Sequence, residues 1–162
     1  MNDSLEDLTA YHESGHALVA ILVGARVKAL TISPDYDDGP NRFGEAQVEW
    51  PAGTYSKKEF AKNNIFVCLA GPVAEMIFRS EPFHPATVPE WSSDWNEAWE
   101  IAESLVPDKS KRMAFLEQTT RDLHEILSRE QHWAALAALV DNLQAHEWLE
   151  WEEIEDIVSA WI

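Results

Sequence analysis

Ala10-Tyr11-His12-Glu13-Ser14-Gly15-His16-Ala17-Leu18-Val19-Ala20 decides the reading of this chain. The segment is apolar except for a H-E-x-x-H core, and its hydrophobic residues recur at helical spacing. On a helix, positions i and i+4 fall one turn apart on a single face. His12 and His16 can therefore direct two imidazole nitrogens at one metal ion, with the Glu13 carboxylate beside them and within reach of a water polarised by that ion. This is the zincin arrangement. It predicts zinc binding and hydrolysis of peptide bonds, with Glu13 as the general base.

Working outward, Ser4-Leu5-Glu6-Asp7 has the form of a capping box, and Gly24 suits the residue just past a helix end, so the first helix is expected to run to about Val23. Val27 to Ser33 and Phe43 to Trp50 read as strands, separated by a Pro-, Asp- and Gly-rich turn over Pro34 to Asn41. Ser56-Lys57-Lys58-Glu59 forms a second capping box, opening a long apolar helix to about Arg79, with a kink or break expected at Gly71-Pro72. Ser80 to Trp91 reads as an ordered loop. Ser93 is placed to cap a helix over Asp94 to Val106, ended by Pro107. Met113 to Leu127, Gln131 to Leu143 and about Glu152 to Trp161 complete a mainly α chain with a small two- to three-stranded sheet, expected to form one domain over residues 1–162.

Composition narrows the function classes. The chain has 162 residues, 46% of them hydrophobic, which is enough for a sizeable core. Its 29 acidic residues against 12 Lys and Arg give a net charge of -17. Phosphate recognition needs clustered cations, so neither nucleic acid nor an anionic membrane is an expected partner. No basic leader and no run of 18 apolar residues is present, so a cytoplasmic location is expected. The single Cys68, in the apolar run Ile65 to Ala70, excludes an intramolecular disulfide and reads as a buried small hydrophobe. Among the eight Trp, Trp95 and Trp99 lie at i and i+4, and Trp148, Trp151 and Trp161 cluster near the C-terminus; core and helix packing is the simpler reading for both groups.

Two histidines leave a catalytic zinc site one protein ligand short. Asp94, at a helix start after a long loop, and Glu75, on the helix following Gly71-Pro72, both offer a carboxylate, and the spacing alone does not choose. A family resemblance does. Ala10 to Ala20 is very similar to the A-Y-H-E-A-G-H-A-L-V-A segment of FtsH-type ATP-dependent zinc metalloproteases. Leu69-Ala70-Gly71-Pro72-Val73-Ala74-Glu75 resembles that family's L-G-G-R-x-A-E segment, and Ser93-Asp94 with the helix behind it resembles its S-N-D segment. The resemblance implies zinc held by His12, His16 and Asp94, with Glu13 as base and Glu75 as a structural residue next to the site. It also implies a peptide or unfolded-protein substrate, which would add as a strand to an edge formed by Gly44, Glu45, Ala46, Gln47 and Val48; a purely structural strand is the equal alternative there, since edges are normally protected.

The departures are specific. The family's ATPase module and membrane anchor find no counterpart here, Pro72 replaces the usual Arg, and the loop from His84 to Trp91 lacks a T-T-G-A run. A separate ATPase partner, a homo-oligomer, or a zinc-binding interaction module without turnover are the readings these departures allow. His84 is the weak candidate for a second electrophile.

Overall fold

The computed structural model describes residues 4–32 and 44–162. The turn expected over Pro34 to Asn41, with Ser33 and Phe43 at the strand ends, lies outside the described residues. Among the described residues the chain forms six α-helices and a three-stranded antiparallel sheet: α1 Leu5–Leu22, β1 Arg26–Thr31, β2 Glu45–Glu49, α2 Lys57–Arg79, α3 Ser92–Glu103, α4 Lys109–Leu127, α5 Glu130–His146, β3 Trp148–Glu150 and α6 Trp151–Ser159. The architecture is mainly helical, as the periodicity implies.

Helix α1 is the central element, buried without a break from Ser14 to Ala20. Ser4 caps it through a reciprocal box with Asp7, and Gly24 beyond its end adopts φ 93°, a conformation that glycine reaches without strain. The helix packs most extensively on α2, and also on α5 and on the sheet. Tyr11 stacks between Phe78 of α2 and Trp133 of α5, joining the three helices at one level. A single apolar cluster, with Leu18, Leu30, Ile65, Leu116, Leu136 and Ile154 among its members, runs through α1, α2, the sheet, α4, α5 and α6.

The sheet has the order β2-β1-β3, so β2 forms one outer strand. Leu30 of β1 faces Ala46 of β2 and Leu149 of β3, and a register shift between Val27 and Ala29 bends the β1–β2 ladder. The three-residue β3 is too short to carry an alternating signal.

Helices α2 and α3 depart from expectation, and α3 and α5 end at Glu103 and His146 in place of Val106 and Leu143. Helix α2 continues through Gly71-Pro72 from Lys57 to Arg79. Pro72 removes a donor that would have bonded the Cys68 carbonyl, a loss of about 3 kcal/mol in an isolated helix. Burial of every residue from Val67 to Met76 against α1, α3 and α4 holds the helix together instead. Helix α3 begins at Ser92, not Asp94, because a 3-10 turn over Pro89–Trp91 runs straight into it, and Ser93 makes no cap. Asp94 consequently lies inside the first turn, where the partial positive charge of the helix end favours a carboxylate.

Candidate metal centre

His12 and His16 project from one face of α1 toward the N-terminal turn of α3. The Nε2 of His12 lies 2.7 Å from Asp94 Oδ2, and the Nε2 of His16 lies 3.3 Å from the same oxygen. These three ligand atoms fall within 4.8 Å of one another, and all three side chains are buried or half-buried. The structure thus brings together the two histidines and the Asp that the sequence offered, from elements 82 residues apart.

The ring nitrogens facing away from this point are also occupied. His12 Nδ1–H donates to Glu75 Oε2 at 2.6 Å, and His16 Nδ1–H donates to the Val67 carbonyl at 2.6 Å. Each bond fixes the ring plane and the tautomer, so both Nε2 lone pairs point at Asp94. Glu75 therefore stands behind His12 and not at the point of convergence, although its carboxylate is fully buried. The Trp91 indole Nε1–H donates to the same Glu75 oxygen at 2.7 Å. Trp91 was missed in the sequence, where no local pattern distinguishes an indole that orients a carboxylate from one that fills a core.

Three acceptor atoms turned on one another repel unless a cation stands between them. In the ion-free protein, protons take that place. Burial alone would lower the His12 pKa, but the Asp94 and Glu75 carboxylates outweigh it and push the imidazole up to about 10. His16 is displaced in the same direction, with Asp94 overcoming the cost of burial. Asp94 shows the complement: burial would raise it, yet the two imidazoles hold it well below the usual carboxylate range. Two imidazoles with one carboxylate form the donor set of a zinc-like divalent ion with a coordination position left open. The residues fit a metal on geometry and on charge.

Close helix contact makes this convergence possible. A Cβ on Gly71 would fall 2.5 Å from His16 Nε2 and 2.9 Å from His12 Cδ2, and one on Gly15 would fall 2.7 Å from both the Ala70 carbonyl oxygen and Ala74 Cβ. The Gly-Pro step that reads as a helix breaker is, on its glycine side, the recess that admits the imidazoles.

The site opens into a cleft of about 730 Å³ between α1, β2, the N-terminal half of α2 and the start of α3. Glu13 lines it, half-buried, and Gly44 lies directly over this side chain: a Cβ there would meet Glu13 Cγ at 2.7 Å. Of the five residues expected at the strand edge, Gly44, Glu45, Ala46 and Val48 border the cleft, and Gln47 does not. Cys68 is buried, as expected, and also reaches the cleft wall; burial and the neighbouring Glu97 and Asp94 carboxylates raise its pKa and keep the thiol protonated. His84 does not line the cleft. It bonds Glu117 at 3.0 Å and lies edge-on to Trp95, which removes it as a second electrophile.

Residues 8–78 match a family model described as Peptidase M50B-like. The match takes in most of α1, β1, β2 and nearly all of α2, and hence His12, Glu13, His16 and Glu75; it stops before Asp94. Together with the His-His-Asp cluster it supports a metallopeptidase-like domain. That family is a metallopeptidase family other than the FtsH type which the motifs resemble. No curated protein matches the chain. Among the described residues, no helix is long and apolar enough to cross a membrane.

Proposed function

We propose that this domain is a zinc-dependent metalloendopeptidase acting on unfolded protein or peptide segments, with the FtsH-type arrangement of two histidines and an Asp. The observation that carries the reading is the convergence of His12 Nε2, His16 Nε2 and Asp94 Oδ2, each imidazole being held from behind by its Nδ1 bond. These three side chains would hold the ion, and zinc bound there supplies Lewis acidity toward water and toward the scissile carbonyl. Glu13, on the cleft wall beside His12, takes a proton from the attacking water and passes it to the departing amine. Glu75 keeps His12 in the tautomer that presents Nε2, and Trp91 keeps Glu75 in place.

Strand β2 is an outer strand that borders the cleft, so an extended substrate can add to it through backbone hydrogen bonds. Among the described residues, the cleft wall carries the carboxylates of Glu13, Glu45, Glu90, Asp94 and Glu97.

Glu13→Gln is the test. The variant is expected to keep one metal ion per chain and its fold while losing about 10²- to 10⁴-fold of the rate on an unfolded protein substrate. Equal hydrolysis by variant and wild type, each with its metal content measured, would end the peptidase reading.

A further inference from the structure

Beyond the metal site, the cleft changes character along its length. Of β2 and its flanks, Gly44, Ala46, Val48 and Trp50 line the cleft, with Glu45 beside the first of them. They grow in size away from Glu13, from no side chain at Gly44 to an indole at Trp50. The opposite wall is the N-terminal half of α2, where Phe60 and Asn64 line the same cleft and Gly71 touches the two imidazoles. The Trp50 and Phe60 rings meet edge-on, 5.1 Å apart at 74°, and Phe60 is left 38% exposed.

Two independent rulers span this trough. From Gly71 to Phe60 is eleven helical residues, about 16 Å at the helical rise. From Gly44 to Trp50 is six strand residues, about 20 Å at the extended rise. They place the aromatic corner about five extended residues from Gly71, beside the imidazoles, and about six from Gly44, beside Glu13. The cleft is continuous from one end to the other, and the carboxylates on its wall complement a cationic chain and repel an acidic one.

We propose that the Trp50–Phe60 corner is a remote anchor subsite, which seats a bulky apolar side chain of an extended, basic peptide about five to six residues from the bond to be cleaved. The inference rests on reading the cleft as a peptide channel. It adds what that reading lacks: a rule that sets where along a chain the cut falls. Near Glu13 the strand presents only Gly44, packed on Glu13 and Thr9, and the small Ala46, so selection by a large side chain is displaced to the far end.

The test uses twelve-residue peptides of Ser, Gly and Arg carrying one Phe, moved a position at a time. The wild-type protein is expected to cut at a constant spacing from Phe, followed by mass spectrometry, and replacing Phe by Ser should lower kcat/KM about tenfold. Phe60→Ala should abolish that preference and Phe60→Leu should restore most of it; Phe60 is surface-exposed, so neither change empties the core. Binding of the same peptides to the Glu13→Gln protein gives a readout without turnover, where the Phe peptide should bind about tenfold tighter than the Ser peptide. Cuts scattered without regard to Phe, or a preference that survives in Phe60→Ala, overturn the anchor. Tight, Phe60-dependent binding with no cleavage by wild type sinks the peptidase reading and leaves the anchor standing.

Discussion

Gly71 has no side chain because two imidazoles occupy the space one would fill. Its absent Cβ would meet His16 Nε2 at 2.5 Å and His12 Cδ2 at 2.9 Å, and neither ring can retreat, since each is tied through Nδ1 to Glu75 or to the Val67 carbonyl. Gly71→Ala must therefore tilt both rings or part α1 from α2. The expected outcome is a folded protein whose metal affinity falls by at least about 100-fold, the upper end of what disturbed support of a ligand costs elsewhere. Metal content after dialysis against a weak chelator reports it. Full retention of the ion would mean that the helices have slack which these distances deny.

At the scale of elements, α1 carries a flaw beside its functional face. The Ser14 hydroxyl is buried and has no hydrogen-bond partner among the described residues. A buried hydroxyl without a partner costs about 1–3 kcal/mol, so Ser14→Ala is expected to stabilise the protein by about 1 kcal/mol. For a chain of this size that raises Tm by about 2–4 °C, readable by calorimetry. An unchanged or lower Tm would indicate that the hydroxyl is satisfied in solution. How much could be read without coordinates divides along the same elements. Helix α1 was legible throughout, because its cap, its apolar spacing and its end at Gly24 are local signals. His12, Glu13 and His16 were legible for the same reason, since one helix fixes their mutual geometry. Asp94 needed a resemblance, because the contact between α3 and α1 is tertiary and leaves no periodic trace. The continuity of α2 through Pro72 was not legible, as it depends on neighbours that outweigh local propensity. Nor was β3, whose three residues pair only because β1 is already beside them.

For the whole molecule, the His12, His16 and Asp94 cluster ties α1 to α3, and its charge balance makes stability depend on pH. In the ion-free protein the His12 pKa is raised from 6.5 to about 10. Across that interval the folded state holds a proton that the unfolded chain has released, so stability is full below pH 6.5 and declines as pH rises toward 10. The slope is at most about 1.4 kcal/mol per pH unit for one proton. Asp94, lowered from 3.8, acts with the opposite sign: its contribution is present above pH 3.8 and is lost in acid. A bound ion replaces the His12 proton, so metal affinity should climb through the same interval, and zinc-loaded protein should lose the alkaline decline. Melting curves from pH 5 to 10, with chelator and with zinc, measure both effects. A flat ion-free profile above pH 6.5 would contradict the charge arrangement described for His12.

One consequence follows from the indole that reaches Glu75. Trp91 is joined by three peptide bonds to Asp94, Asp94 touches His12, His12 touches Glu75, and Glu75 returns to Trp91. The path closes on itself, part covalent and part hydrogen-bonded, and it encloses the first and third ligands in one circuit. Withdrawing the carboxylate of α3 drags the indole with it and turns the imidazole on α1. If the site takes an ion, these two side chains are expected to engage and release it together, which would make a half-assembled centre the least accessible state of the molecule.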